Sequence, residues 1–179
     1  GMSASSVLMD VKSGDILSLV STPSYNPNNF VLGISQSNWN ALLNDERKPL
    51  LNKATSGAYP PGSTFKMIVA AAALELGLIG LGDKIFCPGF YELGSRKFHC
   101  WLKGGHGKLS LQEAIQKSCD VYFYELARKV GVKRIGKMAR LLGLGQSYNL
   151  PLTGQSKGFV PTKKWKKERF GTSWLVGDT

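Results

Sequence analysis

Tyr59-Pro60-Pro61-Gly62-Ser63-Thr64-Phe65-Lys66-Met67 is the stretch whose reading decides the fold. Two prolines and a glycine punctuate the backbone, and the run that follows, Ile68 to Leu76, is alanine- and leucine-rich and too long for a typical strand. The pattern predicts a helix from about Ser63 to Leu76, stopped by Gly77. Nearly every position in it is apolar, so burial on all sides is expected. Lys66 is the exception. A lysine one turn into a buried helix is costly unless it is paired or partly neutral.

Residues three apart share a helix face, so Ser63 and Lys66 are expected to touch. The free N–H groups and positive dipole end of a helix start would help to hold a developing oxyanion. Desolvation and the dipole both favour a neutral amine, a base for the serine hydroxyl. A plainer reading fits the same spacing: Ser63 caps the helix and Lys66 snorkels to solvent. Ser-x-x-Lys alone is a common string.

In its full form the stretch resembles the active-site signature of penicillin-binding proteins, the D,D-transpeptidases that cross-link peptidoglycan. The resemblance is to the class B, elongation-specific penicillin-binding protein 2 branch, and runs on to Trp174-Leu175-Val176-Gly177-Asp178-Thr179. It implies that Ser63 is the acylated nucleophile and Lys66 its general base. It also implies an α+β fold related to the serine β-lactamases, a helical lobe against a five-stranded antiparallel sheet. Residues 1–179 are expected to form a partial, mostly helical transpeptidase domain, an N-terminal β-hairpin plus the helical lobe. The later strands, with the family's Lys-Thr-Gly motif, are expected beyond Thr179, and these residues alone are expected to show little activity.

The chain has 179 residues, one ordinary domain's worth. No segment approaches the length of a membrane span. Gly1-Met2 reads as a leftover of cloning, and the resemblance implies a membrane anchor in a preceding segment. Lys and Arg number 23 against 12 Asp and Glu, a net charge of +11, with a cluster in Lys157 to Arg169. That balance suits an anionic partner or a merely solvated basic face, and no nucleic-acid motif accompanies it.

Val7 to Val11 and Ile16 to Val20 read as a hairpin around Lys12-Ser13-Gly14-Asp15. Lys12-Ser13-Gly14 matches the family's third motif as a string, but it precedes the serine and sits in a turn, so that assignment is rejected. Ser21 to Lys53 is loop-rich, with a short helix expected within Phe30 to Leu43. Ile79 to Lys108 is glycine-rich and reads as a loop or small irregular lobe.

That lobe holds most of the metal-capable residues. Cys87-x12-Cys100-x5-His106-x12-Cys119 supplies four ligands of the kind a closed structural zinc site needs. The spacing is not a finger pattern, and a disulfide or buried free thiols compete with it. The resemblance favours zinc, because some members of the penicillin-binding protein 2 branch carry such a site. His99 is the poorer reserve ligand.

Ser110-Leu111-Gln112-Glu113 is a capping box opening a helix through Ile115. A second helix is expected from Val121 to about Lys129, closed by Gly131, and an amphipathic one from Val132 to Leu142. Between the first two lies Ser118-Cys119-Asp120, where the family has Ser-x-Asn. The resemblance makes Ser118 a proton relay to the leaving group, and Asp120 a carboxylate able to pair with Lys66 and keep it charged. Ordinary capping of the next helix is the alternative for both. Beyond Gly145 the chain is rich in breakers, and Trp165 and Trp174 are expected to pack down the basic run Lys163 to Lys167.

The function implied is a peptidoglycan D,D-transpeptidase working through a serine acyl-enzyme and binding β-lactams. Its partners would be peptidoglycan stem peptides and elongation machinery such as a glycosyltransferase, at the periplasmic side of the bacterial inner membrane. A D,D-carboxypeptidase or serine β-lactamase-like hydrolase is the alternative enzyme. A catalytically silent peptidoglycan- or partner-binding module is the alternative outside catalysis.

Overall fold

The computed structural model describes residues 2–179, so the reading of Gly1 lies outside the described residues. Two compact units form among the described residues: 2–59 with Ser147–Lys157, and Pro60–Gln146 with Gly158–Thr179.

In the first unit, β1 (Ala4–Met9) and β2 (Ile16–Thr22) pair antiparallel with Val7 opposite Leu19. Asp10 closes their turn, its Oδ1 accepting the N–H groups of Lys12 at 2.7 Å and Ser13 at 2.9 Å. Lys12-Ser13-Gly14 is therefore turn backbone, as its position in the sequence indicated. Val7, Leu8, Leu17 and Val20 stand exposed on the hairpin. The short helix α1 (Gln36–Asn44) starts where Ser35 Oγ accepts the Asn38 N–H. Lys53 is buried, and its ammonium donates to the Lys48 carbonyl at 2.9 Å, which offsets part of the burial cost.

The second unit carries the core. A single turn of 3₁₀ helix, Gly62–Phe65, leads into α2 (Lys66–Glu75), which packs on α4 (Asp120–Val130) and α5 (Val132–Leu141). Small side chains on one face of α2, Ala70, Ala72 and Ala73, let these helices approach closely, and Tyr122 and Leu126 of α4 fill the centre. Burial of α2 is one-sided, contrary to expectation. Met67 and Leu74, two turns apart on one face, are 59% and 40% exposed.

Ile79 to Lys108 is more ordered than its glycines suggest. It forms two two-stranded sheets, β3 (Ile85–Cys87) with β6 (Gly107–Leu109) and β4 (Phe90–Leu93) with β5 (Arg96–His99). Strands of three or four residues are too short to show alternation, so periodicity could not reveal them. The glycines serve backbone crossing: a Cβ on Gly105 would sit 2.3 Å from the Cys87 carbonyl oxygen.

Helix α3 (Leu111–Gln116) opens with the expected capping box, Glu113 accepting the Ser110 N–H at 2.8 Å while Ser110 Oγ accepts the Glu113 N–H. The basic run is itself a helix, α6 (Lys163–Phe170), capped by Thr162 and closed by Gly171. Trp165 packs between Phe159 and Phe170 at 4.7 and 5.4 Å, whereas Trp174 donates its indole N–H to Thr179 Oγ1 at 2.9 Å. Among the described residues no helix is long and apolar enough to cross a membrane.

Candidate active site

Ser63, Lys66, Ser118 and Asp120 come together where the turn before α2 meets the turn between α3 and α4. Gly62, at φ +55, reverses the chain ahead of Ser63, and Thr64 Oγ1 pins the turn by donating to the Pro61 carbonyl at 2.6 Å. Ser63 sits in the 3₁₀ turn and makes no side-chain cap for it or for α2.

The direct contact suggested by the three-residue spacing gives way to a chain of three. Lys66 Nζ donates to Ser118 Oγ at 3.0 Å, to the Ser118 carbonyl at 2.8 Å and to Asp120 Oδ1 at 2.5 Å. Ser118 Oγ donates in turn to Ser63 Oγ at 3.0 Å. An ammonium has three N–H donors, and these acceptors engage all of them. Lys66 and Asp120 side chains are only 15% and 23% exposed, and the Phe123 ring lies 5.8 Å from Nζ.

Asp120 is the first residue of α4, and its other oxygen accepts the Trp101 backbone N–H at 3.0 Å. Each carboxylate oxygen thus has its own donor. An asparagine, with one acceptor oxygen, would have to aim its NH₂ at Lys66 or at Trp101, which accounts for aspartate here. Neither Ser118 nor Asp120 caps α4, whose N-cap is Cys119 without a side-chain bond.

Ser118 breaks a local rule. Its N–H bonds the Ile115 carbonyl at 3.1 Å and the Cys119 N–H bonds the Ala114 carbonyl at 3.0 Å, the two bonds of a Schellman helix ending. Glycine normally fills the left-handed position of that motif, yet Ser118 holds it at φ +49. Strain of this kind points to a side chain kept for something other than the backbone.

Beside this site the ligand atoms of Cys87, Cys100, His106 and Cys119 all lie within 4.8 Å of one another. The three cysteines are buried and unbridged, and His99 is not in the group. His106 Nδ1 is 3.7 Å from Cys87 Sγ and 3.5 Å from Cys100 Sγ. Tetrahedral bonds of ordinary zinc–sulfur and zinc–nitrogen length put a nitrogen and a sulfur about 3.6 Å apart, which the two His106–cysteine spacings match, and three thiols with one imidazole are the donor types that ion takes. Burial pushes the Cys100 thiol up, but backbone N–H groups of Leu102, Val121 and Asp120 outweigh it and the net shift is downward. Burial pushes Cys119 up to about 12, a cost that coordination would remove because a metal-bound thiol is deprotonated. Sequence reasoning missed Trp101, which touches both clusters and whose one signal was its place after Cys100.

The sequence profile described as penicillin binding protein transpeptidase domain matches residues 4–177. Peptidoglycan D,D-transpeptidase MrdA of Escherichia coli K12 is 42% identical over 181 aligned residues, covering 100% of this chain and 29% of the relative. The chain therefore spans under a third of that relative's length. Penicillin-binding protein 2 of Helicobacter pylori, in its complex with MreC, superposes with a TM-score of 0.93 at 40% identity over 99% of this chain and 33% of that one. Penicillin-binding protein A of Mycobacterium tuberculosis, as its penicillin G acyl-enzyme, gives 0.71 at 33% identity over 81% and 35%. A match through almost every residue, around a site in which both motifs meet, means that the chain belongs to the penicillin-binding protein transpeptidase family.

Proposed function

We propose that this chain carries the nucleophile and proton relay of a peptidoglycan D,D-transpeptidase. The observation that carries the reading is the run Lys66–Ser118–Ser63, with Asp120 behind Lys66. As set, its hydrogen bonds deliver a proton toward the reacting serine. With one proton removed from Lys66, the same run draws the proton from Ser63 as its oxygen bonds the penultimate carbonyl carbon of a D-Ala-D-Ala stem peptide. Collapse of the tetrahedral adduct breaks the C–N bond, and the relay returns the proton to the departing D-alanine amine. An acceptor amine from a second stem then attacks the ester and frees Ser63. β-Lactams acylate the same oxygen, which accords with the penicillin G acyl-enzyme of the mycobacterial relative.

The full-length protein, given a stem pentapeptide and an amine acceptor, is expected to release D-alanine and form the new amide, and Ser63→Ala to do neither. Release without amide formation would favour a carboxypeptidase. Peptidoglycan binding without turnover would favour a silent module. The site of action is the periplasmic face of the inner membrane, alongside elongation machinery; the MreC complex of the Helicobacter relative supports that setting.

Cys87, Cys100, His106 and Cys119 hold a structural zinc ion in this reading, stapling the two small sheets to the turn before α4. Elemental analysis is expected to find one zinc per chain, and the Cys87→Ser/Cys119→Ser double variant to lose it and melt at lower temperature. A metal-free protein lighter by two hydrogens, from a disulfide, would contradict this.

A further inference from the structure

Trp101 follows Cys100 just past β5 and touches both clusters. Its backbone N–H donates to Asp120 Oδ2 at 3.0 Å, its indole Nε1–H donates to the Lys117 carbonyl at 3.1 Å, and its ring meets His106 edge-on at 5.3 Å. Lys117 is the C-cap of α3, so its carbonyl has no partner within the helix. That carbonyl also belongs to the peptide bond leading into Ser118, the residue held at φ +49. A non-glycine residue stays in the left-handed region only where its surroundings over-determine it. Trp101 is 62% exposed as a residue, so core packing does not account for the side chain.

The geometry points to Trp101 as a positioning residue for acylation. Its indole N–H fixes the Lys117–Ser118 peptide plane, and this keeps the Ser118 hydroxyl between Lys66 and Ser63. Among the described residues Trp101 has no hydrogen bond to Ser63, so its effect on the nucleophile would run through Ser118. The inference rests on the acyl-transfer reading of the site. It goes beyond that reading in making the relay depend on a side chain outside both motifs.

The test uses the full-length, metal-loaded protein with Trp101→Phe, and with the isosteric benzothienylalanine at position 101, which deletes only the N–H. Pre-steady-state acylation by a chromogenic cephalosporin separates the acylation rate constant from the affinity of the non-covalent complex. Both variants are expected to lower the rate constant by about 3- to 10-fold, the worth of one hydrogen bond, with affinity unchanged. In a Ser118→Gly background, where no relay hydroxyl remains, they are expected to add nothing.

Amide hydrogen exchange at Ser118 and Cys119 is expected to quicken in the benzothienyl variant. That readout needs no activity, so failure of the acyl-transfer reading would not hide failure of the inference. A weakened affinity with an intact rate constant would make the ring a ligand contact and overturn the inference. So would unchanged rate and exchange in the isosteric variant, whatever Trp101→Phe does to folding.

Discussion

Replacing Ser118 with glycine is expected to leave the protein as stable as before, or more so, while slowing acylation by about 10²- to 10⁴-fold, the usual worth of a positioned proton-transfer group. The two effects part because Ser118 answers to two masters. Its backbone occupies the glycine position of the α3 ending at φ +49, where a side chain costs about 1–2 kcal/mol. Its hydroxyl joins Lys66 to Ser63 at 3.0 Å on each side. Glycine relieves the first and abolishes the second. Denaturant unfolding alongside acylation kinetics checks both at once. A marked loss of stability with little change in rate would mean that the serine is structural and the relay drawn here is wrong.

The second large effect is expected from Lys66→Met, which keeps a long apolar stem and removes the amine. Acylation should fall by at least about 10³-fold, and combining Lys66→Met with Ser118→Gly should add little, because groups in one relay are lost together. Unlike Ser118→Gly, this change should destabilise. It strands Asp120, whose only other hydrogen-bond donor among the described residues is the Trp101 N–H. Stranding a buried carboxylate costs several kcal/mol, but with Asp120 23% exposed, solvent screening brings that to roughly 1–2 kcal/mol. Multiplicative rate losses in the double variant would show that Lys66 and Ser118 act separately.

Much of this arrangement was legible in the sequence because it rests on local chemistry. Pro60-Pro61-Gly62 announces a turn, the alanine-rich run after Lys66 announces a helix, and Ser110 with Glu113 announces another. The Lys66–Asp120 pairing, across 54 residues, was not local: only the family resemblance led to it, and it is present at 2.5 Å. What escaped depends on contacts distant in sequence or on segments too short for a period. The strands β3 to β6 have three or four residues each, so their order comes from pairing across the cysteine cluster and from glycine crossings such as Gly105. One-sided exposure of α2 is not written in its composition, since alanine serves a close helix contact and a solvent face equally well. The basic run Lys163 to Lys167 was read as a charge cluster, for an anionic partner or for solvent, and not as a helix, although Thr162 before it is an ordinary helix start and Gly171 after it an ordinary stop. Ser63 and Lys66 were expected to touch because the serine was assigned to the α-helix. The 3₁₀ turn places Ser63 where Ser118, 55 residues on, completes the link.

If Ser63 Oγ is the nucleophile that becomes acylated, intact-protein mass spectrometry with benzylpenicillin, followed by peptide mapping, will find the adduct on it. On the full-length protein one penicilloyl adduct is expected, carried by the peptide that contains Ser63 and absent from Ser63→Ala. An adduct on another residue, or one that persists in Ser63→Ala, would contradict that role of Ser63.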